Sequence, residues 1–315
     1  MKKCKTPFRL ENMWLLSDGF KELVRAWWTG YSIVGSTSHC LTEKLKSLKR
    51  NLRKWKNEVF GNVYAKKVEA LCRIQLWNSK ERLNPLSSEG AETRLGDLEE
   101  YKKCVLMEET FWRQKSRETW LKEGDKNTKF FHKMANAKAR KNLLSKVNIN
   151  GNPLTSAEDI KDGVCRAYRT LLAKTEDWRP RMGNLQFRVL GSERARSLEE
   201  PYTEKKVFEA LCSRFGDKAP GPDGFTMAFG QFSWDFTKVE ILASFDKFFR
   251  LGTFQMSLNS TFLVLLPKNG GAEELKDFRP ISLVGSFYKL LAKVLANRLK
   301  QAVREVVSEY QHAFI

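Results

Sequence analysis

The stretch DKAPGPDGF, from Asp217 to Phe225, is the most constrained piece of backbone in this chain. Its two prolines and two glycines exclude a helix or a central strand, because proline lacks a donor N–H and glycine favours turn conformations. The stretch therefore predicts a rigid, sharply shaped loop. Apolar residues at helical spacing come after it and predict an amphipathic helix: Val239, Leu242, Phe245 and Phe249.

A short apolar run follows that helix. TFLVLLPK, from Thr261 to Lys268, is rich in β-formers and ends at Pro267, so it predicts a buried strand. Beyond the glycine-containing NGGAEELK come Arg279 and Pro280, and then a final helix. This order predicts that Lys268 and Arg279 lie on the loop between a core strand and a core helix.

The first half of the chain has helical periodicity. Between residues 41 and 59 apolar side chains recur at alternating steps of four and three, as in an amphipathic helix: Leu41, Leu45, Leu48, Leu52, Trp55 and Val59. The other face carries seven Lys or Arg and one Glu between residues 41 and 56. Lys49, Arg50 and Arg53 are its candidates for contacts with nucleic-acid phosphates. A solvated basic face over a core explains the same charges.

A loop and a second long helix come next. NPLSSEGAE, residues 84–92, clusters Pro, Ser and Gly and predicts a break between helices. Helical spacing then resumes at Leu95, Leu98, Tyr101 and Val105. Two long helices joined by a short loop predict an antiparallel helical hairpin.

Positive charge is densest between residues 113 and 146, with eleven Lys or Arg and three acidic residues. The candidates for nucleic-acid binding here are Lys126, Lys129, Lys133, Arg140 and Lys141. They are interleaved with aromatic residues: Phe111, Trp112, Trp120, Phe130 and Phe131. Such a pattern suits phosphate contacts and base stacking, but aromatic residues at helical spacing also suit a core. Both interpretations stay open.

Local signals divide the rest of the chain. Asn150-Gly151 predicts a tight hairpin turn, and Thr155 with Glu158 forms a capping-box pattern before the next helix. We expect a trailing segment at 1–40, a basic helical connector at 41–173, a linker at 174–202 and a final region at 203–315. The predicted fold class is mainly α with a small β component.

Composition narrows the classes of partner. The formal charge of +19, from 56 Lys and Arg against 37 Asp and Glu, predicts a polyanionic partner, RNA and/or DNA before an anionic membrane. No window approaches about 18 uninterrupted apolar residues and the N-terminus lacks an apolar signal core, so neither membrane insertion nor secretion is predicted. Six dispersed cysteines without a C-x-x-C pair, and three histidines, favour reduced thiols over a zinc site.

Four phrases in order carry a resemblance to a known family. They are DKAPGPDGF, the run ending Leu-Pro-Lys, DFRPISLVGSFYKLLAKVLANRL from Asp277 to Leu299, and QHAFI from Gln311 to Ile315. Upstream, PFRLENMW from Pro7 and GDKNTKFFH from Gly124 extend the similarity. The chain closely resembles the reverse transcriptase of plant LINE-type (non-LTR) retrotransposons, in the segment between endonuclease and polymerase and in the first part of the fingers.

The resemblance implies a long helical hairpin connector followed by an incomplete α/β fingers region of a right-hand polymerase, in the nucleus or cytoplasm. It also implies that Lys268 and Arg279 grip the triphosphate of the incoming nucleotide. Arginine offers phosphate oxygens a planar fork of donors and lysine a point charge, so both side chains suit that role. The alternative is that Arg279 ties the loop to Asp277 or to a helix end.

The resemblance places the metal-binding aspartates of the family beyond QHAFI. Nucleotidyl transfer requires carboxylates that hold two Mg²⁺ ions, and Asp217, Asp223 and Asp277 do not form an acidic pair on a strand. We therefore expect no metal site and no cofactor, and an inactive polymerase fragment when the chain is alone. The alternative function is a non-catalytic, basic nucleic-acid-binding helical module. The sequence does not predict an oligomeric state.

Overall fold

The apolar stripe near the N-terminus packs on a helix from the second half of the chain. The computed structural model describes residues 7–116, 128–142, 144–173, 189–214 and 216–307. Helices α1 (Phe20–Gly30) and α2 (Thr37–Trp55) both lie against α9 (Met227–Leu251). Leu41, Leu48 and Leu52 of α2 are buried there, so the predicted amphipathic helix is confirmed.

The end of that predicted stripe is displaced by one residue. A π-helical turn over Lys56–Phe60 follows α2 and inserts an extra residue into the turn. Phe60 is therefore 5% exposed and packs on Trp55, whereas Val59 is 66% exposed. The expectation that Val59 continues the core stripe is wrong, because strict helical spacing does not hold through a π turn.

The predicted helical hairpin forms across residues 84–87. Helix α3 (Val63–Leu83) packs along α4 (Ser88–Ser116), and α5 (Thr128–Lys141) packs on α4 in turn. The Asn62 carboxamide caps α3 by accepting hydrogen bonds from the backbone N–H groups of residues 64 and 65. The helix that pairs with α4 is thus α3, while α2 belongs to the main core.

A small unit follows α5. Strands β1 (Val147–Ile149) and β2 (Asn152–Leu154) form an antiparallel hairpin, with Asn150 and Gly151 at φ of 53° and 81°. These values confirm the predicted tight turn. Helix α6 (Ala157–Leu172) begins after Ser156, whose side chain makes no cap hydrogen bond. The expectation of a capping box formed by Thr155 and Glu158 is therefore wrong.

Short helices lead to the proline- and glycine-rich loop. Helix α7 (Ser192–Leu198) lies within the predicted linker, and α8 (Glu204–Cys212) begins after Thr203, whose hydroxyl accepts from the Lys206 N–H at 3.3 Å. Residues 216–226 then form no regular element, as their sequence predicts. Thr226 caps α9 by accepting from the Phe229 N–H at 3.2 Å.

The chain then forms a second β-hairpin and a last long helix. Strand β3 (Thr261–Pro267) is where the apolar run predicts it, and it pairs antiparallel with β4 (Phe278–Val284), ahead of α10 (Ser286–Val306). The expectation that this strand is buried is wrong, because a two-stranded sheet leaves much of its surface open; within β3 only Leu265 is buried, and Leu263 is 42% exposed. Arg279 and Pro280 belong to β4. The expectation that Arg279 lies on a loop is wrong, because Pro280 sits in a two-stranded sheet, where a strand has an unpaired edge that tolerates proline.

Two apolar clusters organise these elements. The main core runs from Phe8 to Val294 and joins residues from both sides of the predicted linker. A smaller cluster joins Val147, Ile160 and Val164 to Leu265 and Phe278, so the β1–β2–α6 unit packs on the β3–β4 hairpin. The described residues thus confirm a mainly α fold with a small β component. Among them, every helix is too short or too polar to cross a membrane.

Candidate nucleotide site and nucleic-acid interface

The β3–β4 ladder brings the two predicted phosphate-binding cations to one end of a hairpin. Leu266 pairs with Arg279 and Pro267 with Phe278. The Lys268 N–H then donates to the Asp277 carbonyl at 2.9 Å, which extends the pairing by one residue. Lys268 therefore lies opposite Asp277 and diagonally across from Arg279, on the same face of the hairpin, although eleven positions separate the two cations in sequence.

The side chain of Arg279 is open to solvent. Because side chains alternate across a strand, it shares a face with Ile281 and with Leu266 of the neighbouring strand, opposite the face of Leu265 and Phe278. Arg279 is exposed, and no ion pair or hydrogen bond of its guanidinium forms with the described residues. Its five donors are free to meet an anion.

The Lys268 ammonium makes one hydrogen bond within its own loop. It donates to the Lys276 carbonyl at 2.6 Å, and two further N–H donors remain. The Asp277 carboxylate accepts from the Glu274 N–H at 3.1 Å within a capping box. In the described residues that carboxylate is therefore engaged inside the loop and does not reach Arg279.

The β1–β2 hairpin holds this loop from the outside. The Asn148 backbone N–H donates to the Glu273 carbonyl at 2.7 Å, and its side-chain amide donates to the Glu274 carboxylate at 2.8 Å. Lys146 pairs with the Glu273 carboxylate at 3.0 Å. These contacts join the small unit to the loop that carries Lys268.

The loop of residues 217–225 is held between α2 and the start of α10, at the end of β4 away from Arg279. The Asp223 carboxylate accepts from the backbone N–H and, at 2.7 Å, from the hydroxyl of Ser286, the first residue of α10. Lys49 donates to the Pro222 carbonyl at 3.2 Å, and Lys289 donates to the Ala219 carbonyl at 2.7 Å. The loop is thus fixed by side chains from two helices.

The three basic candidates on α2 lie in different environments. Burial lowers the pKa of Lys49, and the nearby charge of Arg53 lowers it further. Lys49 and Arg53 both approach the Phe8 ring, each at 5.6 Å from its centroid. Arg50 donates to the Ser47 hydroxyl at 3.0 Å. Arg53 is exposed, whereas Lys49 also supports the proline- and glycine-rich loop.

The second set of basic candidates lies on α5. Lys133 and Arg140 are exposed on that helix. Lys129 and Lys141 belong to α5 by their backbone, and their side chains, like the whole of Lys126, lie outside the described residues. Of the interleaved aromatic residues, Phe131 is buried, and Trp112 packs edge-on against His132 with ring centroids 4.4 Å apart.

A concave basic surface was not predicted from the sequence. A cleft of about 560 Å³ lies between the segment of residues 7–11, the end of α2, the end of α4 and residues 217–220. Four cations line it: Arg9, Arg53, Lys56 and Lys115. Only Arg53 was among the predicted contacts, because the four residues come from three segments that are distant in sequence and form no common periodic pattern.

The acids of this cleft are already engaged. Glu11 accepts from Lys56 at 2.7 Å, and Asp217 accepts from the Asn12 side-chain amide at 2.7 Å. Within the described residues, Arg9, Arg53 and Lys115 have no carboxylate partner. Burial lowers the pKa of Lys115, which lies 3.9 Å from the Phe111 ring centroid. The cleft thus combines a net positive charge, since four cations face Glu11 and Asp217, with an aromatic wall.

The carboxylates of the second half do not form a metal site. Asp217, Asp223 and Asp277 bind Asn12, Ser286 and the Glu274 N–H respectively, in three separate places. Throughout the part of the chain that the structure describes, no group of three or more His, Cys, Asp or Glu side chains could hold a metal ion. The Mg²⁺ that the resemblance implies therefore does not fit the residues described.

Comparison with known proteins gives one informative match. The chain is 28% identical over 309 residues to the "Transposon TX1 uncharacterized 149 kDa protein" of Xenopus laevis. The match covers 95% of this chain and 23% of the relative, so the chain spans about a quarter of the relative's length. No protein-family model matches. The similarity indicates that the chain is related to a transposon-encoded protein.

Proposed function

We propose that this chain is part of a LINE-type retrotransposon reverse transcriptase, comprising a helical connector and the beginning of the fingers. In this proposal the end of the β3–β4 hairpin binds the triphosphate of the incoming nucleotide. The single observation that carries the proposal is the ladder register, which places Lys268 diagonally across from Arg279 on one face of the hairpin end. Arg279 has no acidic partner among the described residues. A guanidinium and an ammonium at one hairpin end match the geometry and charge of a polyphosphate.

Two further observations support the assignment. The relative is a transposon protein, and the match extends over almost the whole of this chain. The phrases that resemble reverse transcriptases supply the proline- and glycine-rich loop, β3, β4 and α10. Strands β3 and β4 carry the candidate site at one end of their hairpin, and the loop packs at the other end, on Val284 and the start of α10. Polymerase activity of the longer protein, with metal-binding carboxylates outside the described residues, is part of the same proposal.

Equilibrium binding of a deoxynucleoside triphosphate tests this proposal. Lys268→Gln and Arg279→Gln should each weaken binding by about tenfold or more, because each removes a charge-assisted hydrogen bond worth about 1.5–3 kcal/mol. Lys276→Gln is the matched control, since it removes the same charge from an exposed position of the same loop. Equal losses in all three variants would indicate non-specific attraction and refute a defined site.

The cleft favours a second candidate function, binding of single-stranded nucleic acid. Its three cations without carboxylate partners suit backbone phosphates, and Phe111 and Pro220 offer an apolar surface to a base. Its volume of about 560 Å³ lies within the usual range for sites that take small ligands, which fits one or two nucleotides better than a duplex. This agrees with a basic nucleic-acid-binding module.

Salt-dependent binding to a short single-stranded RNA tests the second candidate. The triple variant Arg9→Gln, Arg53→Gln and Lys115→Gln should reduce the slope of log K against log salt by about 2, since each phosphate contact contributes about 0.7. The control combines three exposed cations of the α3–α4 hairpin: Lys80→Gln, Arg82→Gln and Lys102→Gln. An unchanged slope in the cleft variant, or the same change in the control, contradicts a role for the cleft.

A further inference from the structure

The loop between β3 and β4 is held by a separate unit of the fold. Asn148 of β1 makes two hydrogen bonds to that loop, one from its backbone N–H to the Glu273 carbonyl and one from its side chain to the Glu274 carboxylate. Asn148 also forms a β-bridge with Glu274. The sequence offers no signal for these contacts, because about 125 residues separate the partners.

A short chain of hydrogen bonds runs from Asn148 to Lys268. The Glu274 carboxylate that accepts from Asn148 also accepts from the backbone N–H of Asp277, while the Asp277 carboxylate accepts from the Glu274 N–H. The Asp277 carbonyl then accepts from the Lys268 N–H at 2.9 Å. The capping box therefore connects the β1–β2 hairpin to the backbone position of Lys268.

A second connection reaches Arg279 through packing. Phe278, the residue before Arg279, is buried with Leu265 against Val147, Ile160 and Val164 of the small unit. Since side chains alternate along a strand, anchoring Phe278 on one face directs Arg279 to the other. The same unit thus constrains both cations, one by hydrogen bonds and one by apolar contacts.

The β3–β4 hairpin needs such support to keep its two cations at a fixed separation. A two-stranded hairpin is marginally stable by itself, and the β3–β4 loop contains Gly270 and Gly271. Without an external support the two cations would sample many separations, and a ligand that needs both would bind only the competent fraction.

We propose that the β1–β2–α6 unit positions the nucleotide site, with Asn148 as the positioning residue that holds the Lys268 loop in its binding conformation. This inference rests on the proposed function, since the ligand is the triphosphate. It adds a role for residues 144–172, which contain none of the residues predicted to touch the nucleotide. Asn148 contacts the loop and not the ligand, so its effect reaches the site through Glu274.

The experiment compares the full chain with Asn148→Ala and with Asn152→Ala, an exposed position on the other strand of the same hairpin. Two quantities are measured on each protein: the affinity for a deoxynucleoside triphosphate, and amide hydrogen exchange of residues 268–279. Asn148→Ala should bind about tenfold more weakly and exchange faster in that segment, because loss of the side-chain hydrogen bond to Glu274 lowers the competent fraction. Asn152→Ala should match the wild type in both measurements.

The possible results separate the two proposals. If the wild type binds the triphosphate and Asn148→Ala binds it equally well, the positioning role is refuted and the proposed nucleotide site stands. Unchanged hydrogen exchange in residues 268–279 refutes the positioning role in the same way. If the wild type binds no triphosphate, the proposed function itself fails. Lys146→Ala, which loses only an exposed ion pair with Glu273, should change the affinity less than about twofold.

Discussion

Gly221 lies where the proline- and glycine-rich loop touches the backbone between β4 and α10. A Cβ atom added at this position would stand 2.3 Å from the Val284 carbonyl oxygen, 2.4 Å from its carbon and 2.6 Å from the Gly285 nitrogen. All three are backbone atoms, so no side-chain rotation relieves the overlap. Gly221→Ala must therefore separate the loop from the start of α10.

The size of the effect follows from this geometry. Overpacking a tight site by one methyl group costs about 1–3 kcal/mol, and immovable neighbours put this case at the upper end or above it. We expect a loss of about 3 kcal/mol in the free energy of unfolding, which lowers the melting temperature by about 4–5 °C in a chain of 315 residues. The contact that Asp223 makes with Ser286 would be strained as well.

Chemical denaturation followed by circular dichroism measures the effect. Gly96→Ala is the control of opposite sign, because Gly96 lies within α4 with nothing within 4 Å of the added Cβ. That substitution should stabilise the helix by about 0.5–1 kcal/mol. If Gly221→Ala unfolds at the wild-type midpoint, the loop does not pack against α10 as described.

Two other substitutions and a pH titration test the rest of the fold. Leu48→Ala should lower the free energy of unfolding by about 2–5 kcal/mol, because Leu48 is fully buried. Leu76→Ala, at a side chain that is 63% exposed, should change it by less than about 0.5 kcal/mol. Equal effects of the two substitutions in denaturant melts would contradict the burial of Leu48 on α2. The hydrogen bond from Arg73 holds the pKa of Asp97 below its ordinary value of 3.8. The ionised Asp97 carboxylate therefore stabilises the α3–α4 hairpin fully above pH 3.8, and this stabilisation is lost as the pH falls through the lowered pKa. Trp77 also donates to Asp97, so its fluorescence should report hairpin opening only in strong acid and not at pH 5.

Sequence reasoning succeeded where local chemistry decides the conformation. Proline and glycine fix the loop around Asp223, Asn150-Gly151 fixes a turn with positive φ, and an apolar run ended by Pro267 gives β3. Each of these depends on neighbours within a few residues. The amphipathic stripe of α2 belongs to the same class, since a helix that packs on one side must repeat with its own period.

Sequence reasoning failed where an element depends on a partner that is distant in sequence, or where the buried side chain of an interface is polar. Strand β4 needs β3 as a partner, and the pair Arg279-Pro280 by itself resembles a turn. On α4 the face that packs on α3 includes Asp97, which accepts from Arg73 and Trp77, while the apolar Leu95 is exposed. A hydrophobic pattern cannot reveal an interface organised by a buried carboxylate.

The candidate site likewise combines features that the local sequence predicts with features that depend on distant residues. Residue type and resemblance suggest Lys268 and Arg279 as candidates, but their placement on one face of the same hairpin depends on a ladder that only the structure supplies. The cleft lined by Arg9 and Lys115 could not be predicted, because more than a hundred positions separate these residues in the sequence.

The most direct test of the account compares ligands that differ only in phosphate number. If Lys268 and Arg279 grip a triphosphate, the wild-type chain should bind a deoxynucleoside triphosphate at least about tenfold more tightly than the monophosphate, because the added phosphates meet both cations. In the double variant Lys268→Gln and Arg279→Gln this ratio should fall towards one, with the folded state unchanged by circular dichroism. A wild-type ratio near one, or a ratio that the double variant retains, would contradict the assignment of this hairpin as a nucleotide site.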